Sequence, residues 1–333
     1  MIDSYLILDH DDEIHANYRD ISGSLKRISG DACYIVVMAI AEPLPPGAAP
    51  DWTIPQDWGS YTVQEHAMWD RLFARQADML PTRVVPAFME GLDVLRMSKP
   101  GIPDFDELNE RLFKATGWQV VAVPGLVPDA LFFDHLANRR FVAGRFIRTP
   151  EQLDYLREPD IFHDVFGHVP LLVHPVFADY MQAYGEGGLR AAKLGMIEAL
   201  ARLYWYTVEF GLIRDGGDLK LYGAGIVSSY GESVFALDDP SPHRIGFDLE
   251  RVMRSDYRID DYQQNYFVID SFEDLLRQTR DADLGPIYER LRGCEPAEVG
   301  ALLPTDRVLH AGTQDYARNR SGMNGAMTER TTI

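Results

Sequence analysis

Cysteine is almost absent from this chain. Its 333 residues hold two, Cys33 and Cys294, far apart and in no CxxC pair. That excludes a disulfide framework and a thiolate metal site, and it fits a reducing cytoplasm. Basic blocks are missing as well. The formal net charge is -19 and the pI about 4.8. A surface of that sign repels phosphate backbones and anionic membranes, so no nucleic-acid partner is expected. No run approaches eighteen uninterrupted apolar residues, so no membrane span is expected. The start, Met1-Ile2-Asp3-Ser4, leads to acidic Asp9-His10-Asp11-Asp12-Glu13. A secretory leader would place a basic region before an apolar run, so none is expected. There is no internal repeat and no sustained heptad pattern. The glycine-rich stretch from Leu219 to Glu232 lacks the Lys-Ser or Lys-Thr pair of a phosphate loop.

What is present is a chain that can bury a large core, 46% hydrophobic with 25% charged residues. The periodic signal is mainly helical. Thr62 and Glu65 form a candidate capping box, followed by Met68, Leu72, Phe73, Met79 and Leu80, with Pro81 as the stop. Further helices are expected over Val84 to Leu95, from about Phe105 to Gly117, over Asp129 to Asn138, over Pro175 to Tyr184 and over Leu189 to Phe210. Others fall over Phe247 to Met253 and after the Ser271 cap. Strands are few: near Val120, over Arg139 to Arg148, and over Asn265 to Ile269. The apolar run Tyr34 to Ala41 is too short for periodicity to decide its state. The expected fold is mainly α, multihelical with a few short strands. Residues 1–50 read as an N-terminal extension, 51–295 as the catalytic body and 296–333 as a partly disordered C-terminal extension.

Two histidines stand out in Glu158-Pro159-Asp160-Ile161-Phe162-His163-Asp164-Val165-Phe166-Gly167-His168-Val169-Pro170. Later comes Tyr204-Trp205-Tyr206-Thr207-Val208-Glu209-Phe210-Gly211, with a carboxylate in an apolar context. An unpaired carboxylate there is costly unless a partner or a metal compensates it. Two imidazoles and one carboxylate form the facial-triad set of non-haem iron, with positions left open for chemistry. On a regular helix, residues five apart lie about 140° apart around the axis, so His163 and His168 would diverge. Loosening at Gly167 and stiffening by Pro159 and Pro170 could bring them together. Asp160 and Asp164 are candidate acceptors from the free ring nitrogens. Taken alone, the pair is also read as one core and one surface histidine, and Glu209 as a helix-end ion-pair partner. The zinc-protease motif HExxH is one residue shorter and is not matched.

These motifs, with Tyr222-Gly223-Ala224-Gly225, Ser228-Ser229, Phe132 to Phe141 and Asn265 to Phe272, resemble the pterin-dependent aromatic amino acid hydroxylases, closest to their bacterial phenylalanine 4-monooxygenase branch. The resemblance spans roughly residues 55–285 and implies that family's catalytic-domain fold. It implies iron(II) held by His163, His168 and Glu209, and a tetrahydropterin stacked on Phe132. Leu126, Val127, Asp164 and Ala201 fall in the implied pterin pocket. Arg148 matches the partner of the amino acid's carboxylate, and Tyr155, Pro159, Trp205 and Ser228 fall at the substrate site. The implied reaction is monooxygenation of an aromatic amino acid by dioxygen and tetrahydropterin, L-phenylalanine giving L-tyrosine. Pterin-recycling enzymes are then implied partners.

Departures from the family pattern are local. Asp164 stands where animal relatives carry glutamate, and Leu156 where they carry a threonine that helps hold the substrate. Small and charged residues occupy Ala143-Gly144-Arg145, where bacterial relatives usually have bulky aromatics. No regulatory domain or tetramerisation helix is visible, and a monomer or weak dimer is expected. Tryptophan hydroxylation, or hydroxylation at another ring position, is the alternative activity. A non-catalytic pterin- or amino-acid-binding relative is the alternative of another class.

Overall fold

Thr62 starts the first long helix as its capping box requires. Its Oγ1 accepts from Glu65 N at 3.2 Å, and Glu65 Oε2 accepts from Thr62 N at 2.7 Å. The computed structural model describes residues 44–154, 156, 158–280 and 282–320, with two short strands before them, β1 (Asn17–Arg19) and β2 (Leu25–Arg27). The run Tyr34 to Ala41, Tyr155 and the chain beyond residue 320 lie outside the described residues.

Helix α1 (Val63–Met79) ends in a tight turn at Pro81, and α2 (Pro86–Val94) follows with proline in its first turn. Helix α3 (Phe105–Thr116) is capped by the Asp104 side chain and closed by Gly117 at φ 76°. Strand β3 (Gln119–Ala122), α4 (Asp129–Ala137) and β4 (Arg140–Ala143) make a parallel βαβ unit with Val121 opposite Val142. The strand expected to reach Arg148 stops at Ala143, and residues 144–149 run irregularly along what becomes the cavity wall.

The helices after residue 174 are divided differently from the sequence reading. Helix α5 (Pro175–Leu194) runs straight through Gly185, Gly187 and Gly188, and stops at Gly195 with φ 66°. Helix α6 (Ile197–Tyr204) is separate. Glycines in the stretch between the two expected helices serve close packing. A Cβ at Gly188 would lie 2.0 Å from the Phe133 ring on α4, so only glycine lets α5 approach. Gly188→Ala is expected to destabilise the protein by about 1–3 kcal/mol through overpacking. A denaturant titration checks it, with an unchanged midpoint counting against this packing.

The remaining elements are β5 (Leu212–Asp215), β6 (Asp218–Leu221), α7 (Ala224–Val227), α8 (Tyr230–Asp238), β7 (His243–Gly246), α9 (Leu249–Met253), β8 (Asn265–Ile269), α10 (Phe272–Arg280), α11 (Leu284–Leu291) and β9 (Val308–His310). Five strands form a sheet in the order β6-β5-β8-β7-β9. The central β8 is buried at all five positions, so after Asn265 it reads as a continuous run of large side chains with no alternation. Strand β9 carries the fold past residue 295, where the sequence signal fades, and a short helical turn at 315–320 follows it. Helices outnumber strands throughout, as the sequence indicated. Among the described residues, no helix is long and apolar enough to cross a membrane.

Candidate metal centre and substrate cavity

His163 and His168 lie on one π-helical turn, Phe162–His168, and Glu209 closes another, Trp205–Glu209, that continues α6. A π-turn bonds residue i to i+5, so side chains five apart stack where α-helical winding would splay them. This geometry resolves the spacing problem. The change of winding begins at Phe162, well before Gly167, and involves the whole turn. Aromatic packing holds the turn in place. Phe162 and Phe166 stack at 4.6 Å between ring centroids, Trp69 of α1 meets Phe162 at 5.1 Å, and Phe88 of α2 meets Phe166 at 5.7 Å. At the second turn, Phe210 N donates to Trp205 O at 2.8 Å, an i to i+5 bond that ends it.

The three side chains converge. His168 Nε2 lies 3.3 Å from His163 Nε2 and 3.2 Å from Glu209 Oε1, and His163 Nε2 lies 3.6 Å from Glu209 Oε2. One ligand atom from each falls within 4.8 Å of the others, which fits a single ion. The protonation states suit that use. Burial pushes the His163 imidazole down to about 4, so it is neutral at pH 7. Burial alone would raise the Glu209 carboxyl, but the facing imidazoles outweigh it and hold the carboxylate below its usual range. Ser228 sets the tautomer of His163. Its hydroxyl donates to Ala224 O at 2.7 Å, so at 3.0 Å it accepts from Nδ1-H. The His163 Nε2 lone pair is then left facing the other two ligands.

The two aspartates act differently from the sequence reading. Neither accepts from an imidazole. Asp160 is wholly buried and binds backbone and arginine: it accepts from His163 N at 3.1 Å, Arg148 N at 2.9 Å, Arg148 Nε at 2.8 Å and Nη2 at 2.9 Å. Asp164 accepts from Gly144 N at 2.8 Å, and burial pushes its carboxyl up to about 8.

The centre opens into a cavity of about 790 Å³, within the usual size of ligand sites. Its lining brings together His163, Glu209, Leu126, Arg148, Pro159, Ala201, Trp205 and Ser228. Phe132, Val127 and Asp164 are buried and are not among its lining residues. Phe132 is 0% exposed and packs edge-on against the wall residue Tyr204 at 5.8 Å, so it offers no open face of the kind expected for stacking. Tyr204 fills that place in the wall. Glu232 and Gln263 also line the cavity and were missed by the sequence reading. Glu232 had a signal, since it follows Ser228-Ser229 closely and sits in an apolar helix.

Burial raises the Glu232 carboxyl to about 7, against the opposing hydrogen bond from Tyr266 OH. The folded protein therefore holds this proton across a range where the unfolded chain has lost it. Its contribution to stability is full below the ordinary glutamate range and is lost as pH rises toward 7. Glu232→Gln is expected to abolish that slope and to gain about 3 kcal/mol relative to the parent at pH 8. Chemical denaturation at pH 5 and pH 8 tests this, and parallel profiles would refute it.

A buried 2-His-1-carboxylate cluster at the wall of a cavity lined by both apolar and charged side chains defines the class: a mononuclear non-haem oxygenase centre on a multihelical scaffold. Comparison with known proteins narrows it. Residues 54–283 match the family model for biopterin-dependent aromatic amino acid hydroxylases, and the chain belongs to that family. It is 64% identical over 282 residues to the phenylalanine-4-hydroxylase of Caulobacter vibrioides, covering 85% of this chain and 96% of the relative. Two crystal structures of the Chromobacterium violaceum phenylalanine hydroxylase superpose with a TM-score of 0.75, each covering 78% of this chain. One holds iron(III) and oxidised 7,8-dihydrobiopterin, at 54% identity and 94% coverage of that chain. The other holds iron and phenylalanine, at 51% identity and 95% coverage.

Proposed function

We propose that this protein is a phenylalanine 4-monooxygenase that converts L-phenylalanine to L-tyrosine with dioxygen and a tetrahydropterin. The observation that carries the reading is the convergence of His163, His168 and Glu209 at the wall of a cavity that also holds Arg148. The named activity of the Caulobacter relative supports phenylalanine over other aromatic amino acids. The donor set fits iron(II): two imidazoles and a carboxylate, with no thiolate. Iron(II) and tetrahydropterin, when bound, supply the electrons that activate dioxygen.

The chain's own residues do the rest. His163, His168 and Glu209 hold the ion from one side and leave the other side to the cavity. Arg148 is oriented by Asp160, and its Nη1, 3.5 Å from Leu153 O, remains weakly committed and able to take the substrate carboxylate. Trp205 forms a wall for the aromatic ring. It is held by Gln263 Oε1 at 2.9 Å and by stacking on Tyr257 at 4.3 Å. Leu126 and Ala201 offer lining surface for the pterin, and the buried Val127, Asp164 and Phe132 are assigned to the same pocket. The apolar surroundings of Glu209 keep water from the reacting groups. Pro159, Ser228 and Tyr155 complete the proposed substrate side, and residues 51–295 carry the proposed metal ligands and the pterin and substrate residues named here. A cytoplasmic setting, a monomer or weak dimer and pterin-recycling partners belong to the same reading, which the exposed free Cys294 suits.

The test is a product assay on iron(II)-loaded protein with tetrahydropterin, dioxygen and equimolar phenylalanine and tryptophan. Tyrosine is expected as the dominant product. A hydroxytryptophan or a meta-hydroxylated product would keep the metal site and overturn the substrate. No product from folded, iron-loaded protein would overturn the catalytic reading.

A further inference from the structure

The cavity has a wall that comes from outside the family match. Tyr316 and Arg320 line it, although the match ends at residue 283. They sit on the helical turn after β9 and meet the loop 257–263, which contributes Tyr257, Ile259, Asp260, Asp261, Tyr262 and Gln263 to the same cavity.

That loop is held from two sides. On the inner side, Gln263 Oε1 accepts from Trp205 Nε1, and Gln263 N donates to Glu232 Oε1 at 3.3 Å. On the outer side, Asp261 Oδ1 accepts from Tyr316 OH at 2.9 Å and from Arg320 Nη1 at 2.6 Å. The Asp261 side chain is only 7% exposed, so the arginine neutralises a carboxylate that is largely removed from water. The Tyr316 ring stacks on Tyr262 at 5.4 Å and meets Phe235 of α8 at 5.1 Å. Upstream, Gln314 N donates to Ser241 O at 2.9 Å and Tyr316 N to Ser241 Oγ at 3.0 Å, which ties the segment to the body of the fold.

We propose that residues 313–320 form a strap that fixes the 257–263 loop against Trp205, with Asp261 as its anchor, so that Tyr316 and Arg320 are positioning residues for the aromatic amino acid. The path is continuous: Arg320 and Tyr316 hold Asp261, the loop carries Gln263, and Gln263 orients the indole that walls the substrate. This rests on the proposed hydroxylase function.

Arg320→Ala and Tyr316→Phe test the strap with little risk to folding, since the first side chain is half exposed and the second change keeps the ring. Each is expected to raise the KM for phenylalanine about fivefold, as for a typical coupling between sites. Each should also lower the tyrosine formed per pterin oxidised and speed amide hydrogen exchange over residues 256–264, with the KM for pterin unmoved. If KM, the coupling ratio and loop exchange all match the parent in both variants and in the double variant, the strap is structural filling and the proposal is overturned. A parent protein that forms no tyrosine would instead overturn the function itself, so the two failures are distinguishable.

Discussion

His163→Ala is expected to lose iron binding and, with it, tyrosine formation. The reasoning is geometric. His163 Nε2 is one of three ligand atoms drawn together by two π-turns, and its neutral state is enforced by burial. Removing it leaves one imidazole and a carboxylate, too few to hold the ion in a site that stays open on the cavity side. Loss of an outer hydrogen-bond partner costs about 10–100-fold in metal affinity or activity, and loss of a ligand should cost more. Ser228→Ala supplies the graded comparison. It removes the acceptor that sets the His163 tautomer while keeping all three ligands, so its loss should fall inside that range. Iron content by metal analysis and tyrosine formation, measured together, check both. Stoichiometric iron and an unaltered rate in His163→Ala would remove this residue from the centre.

Arg148→Met is expected to cost stability and substrate affinity at once. Asp160 is fully buried, and Arg148 is its bidentate partner with a side chain only 10% exposed. Breaking a buried pair on one side leaves an uncompensated carboxylate, worth about 3–5 kcal/mol. The same arginine is the group proposed to bind the substrate carboxylate, so the KM for phenylalanine should rise as well. A second change separates the two roles. Asp160→Asn in the Arg148→Met background removes the stranded charge and should recover part of the lost stability, while the KM stays high. Denaturant midpoints and KM values for the single and double variants give the answer. A KM that recovers together with stability would mean that Arg148 acts only by holding the turn. Lysine should not substitute well, because it lacks the planar fork that engages both Asp160 oxygens.

Much of this site could be read from the residues. His163, His168 and Glu209 are the titratable groups set in long apolar runs, and that context is what marks a carboxylate needing a partner. Thr62, Glu65 and Gly117 announced helix ends through local hydrogen bonding that depends on few neighbours. The winding of the two turns could not be read. Helical pattern recognition assumes 3.6 residues per turn, and a π-turn is stabilised by tertiary packing such as Phe162 on Trp69, which has no local signature. The run through Gly185 and Gly188 was misjudged for a related reason. Glycine weakens an isolated helix, and only the proximity of α4 shows why it is needed. Tyr316 and Arg320 were hidden because their segment is polar and short, and its role depends on a loop more than fifty residues earlier in the chain.

The two π-turns also make the centre sensitive to a kind of change that substitutions never sample. Each residue added to or removed from an α-helix rotates everything beyond it by about 100°. Deleting one residue between His163 and His168 would let that turn relax to ordinary winding, with every ligand type still present in the chain. The two imidazoles would then stand four residues apart on one α-helical face, at the spacing of ordinary winding and no longer at the stacked spacing of the π-turn. Chain length within these few residues is therefore as much a specification of the centre as the identity of the side chains.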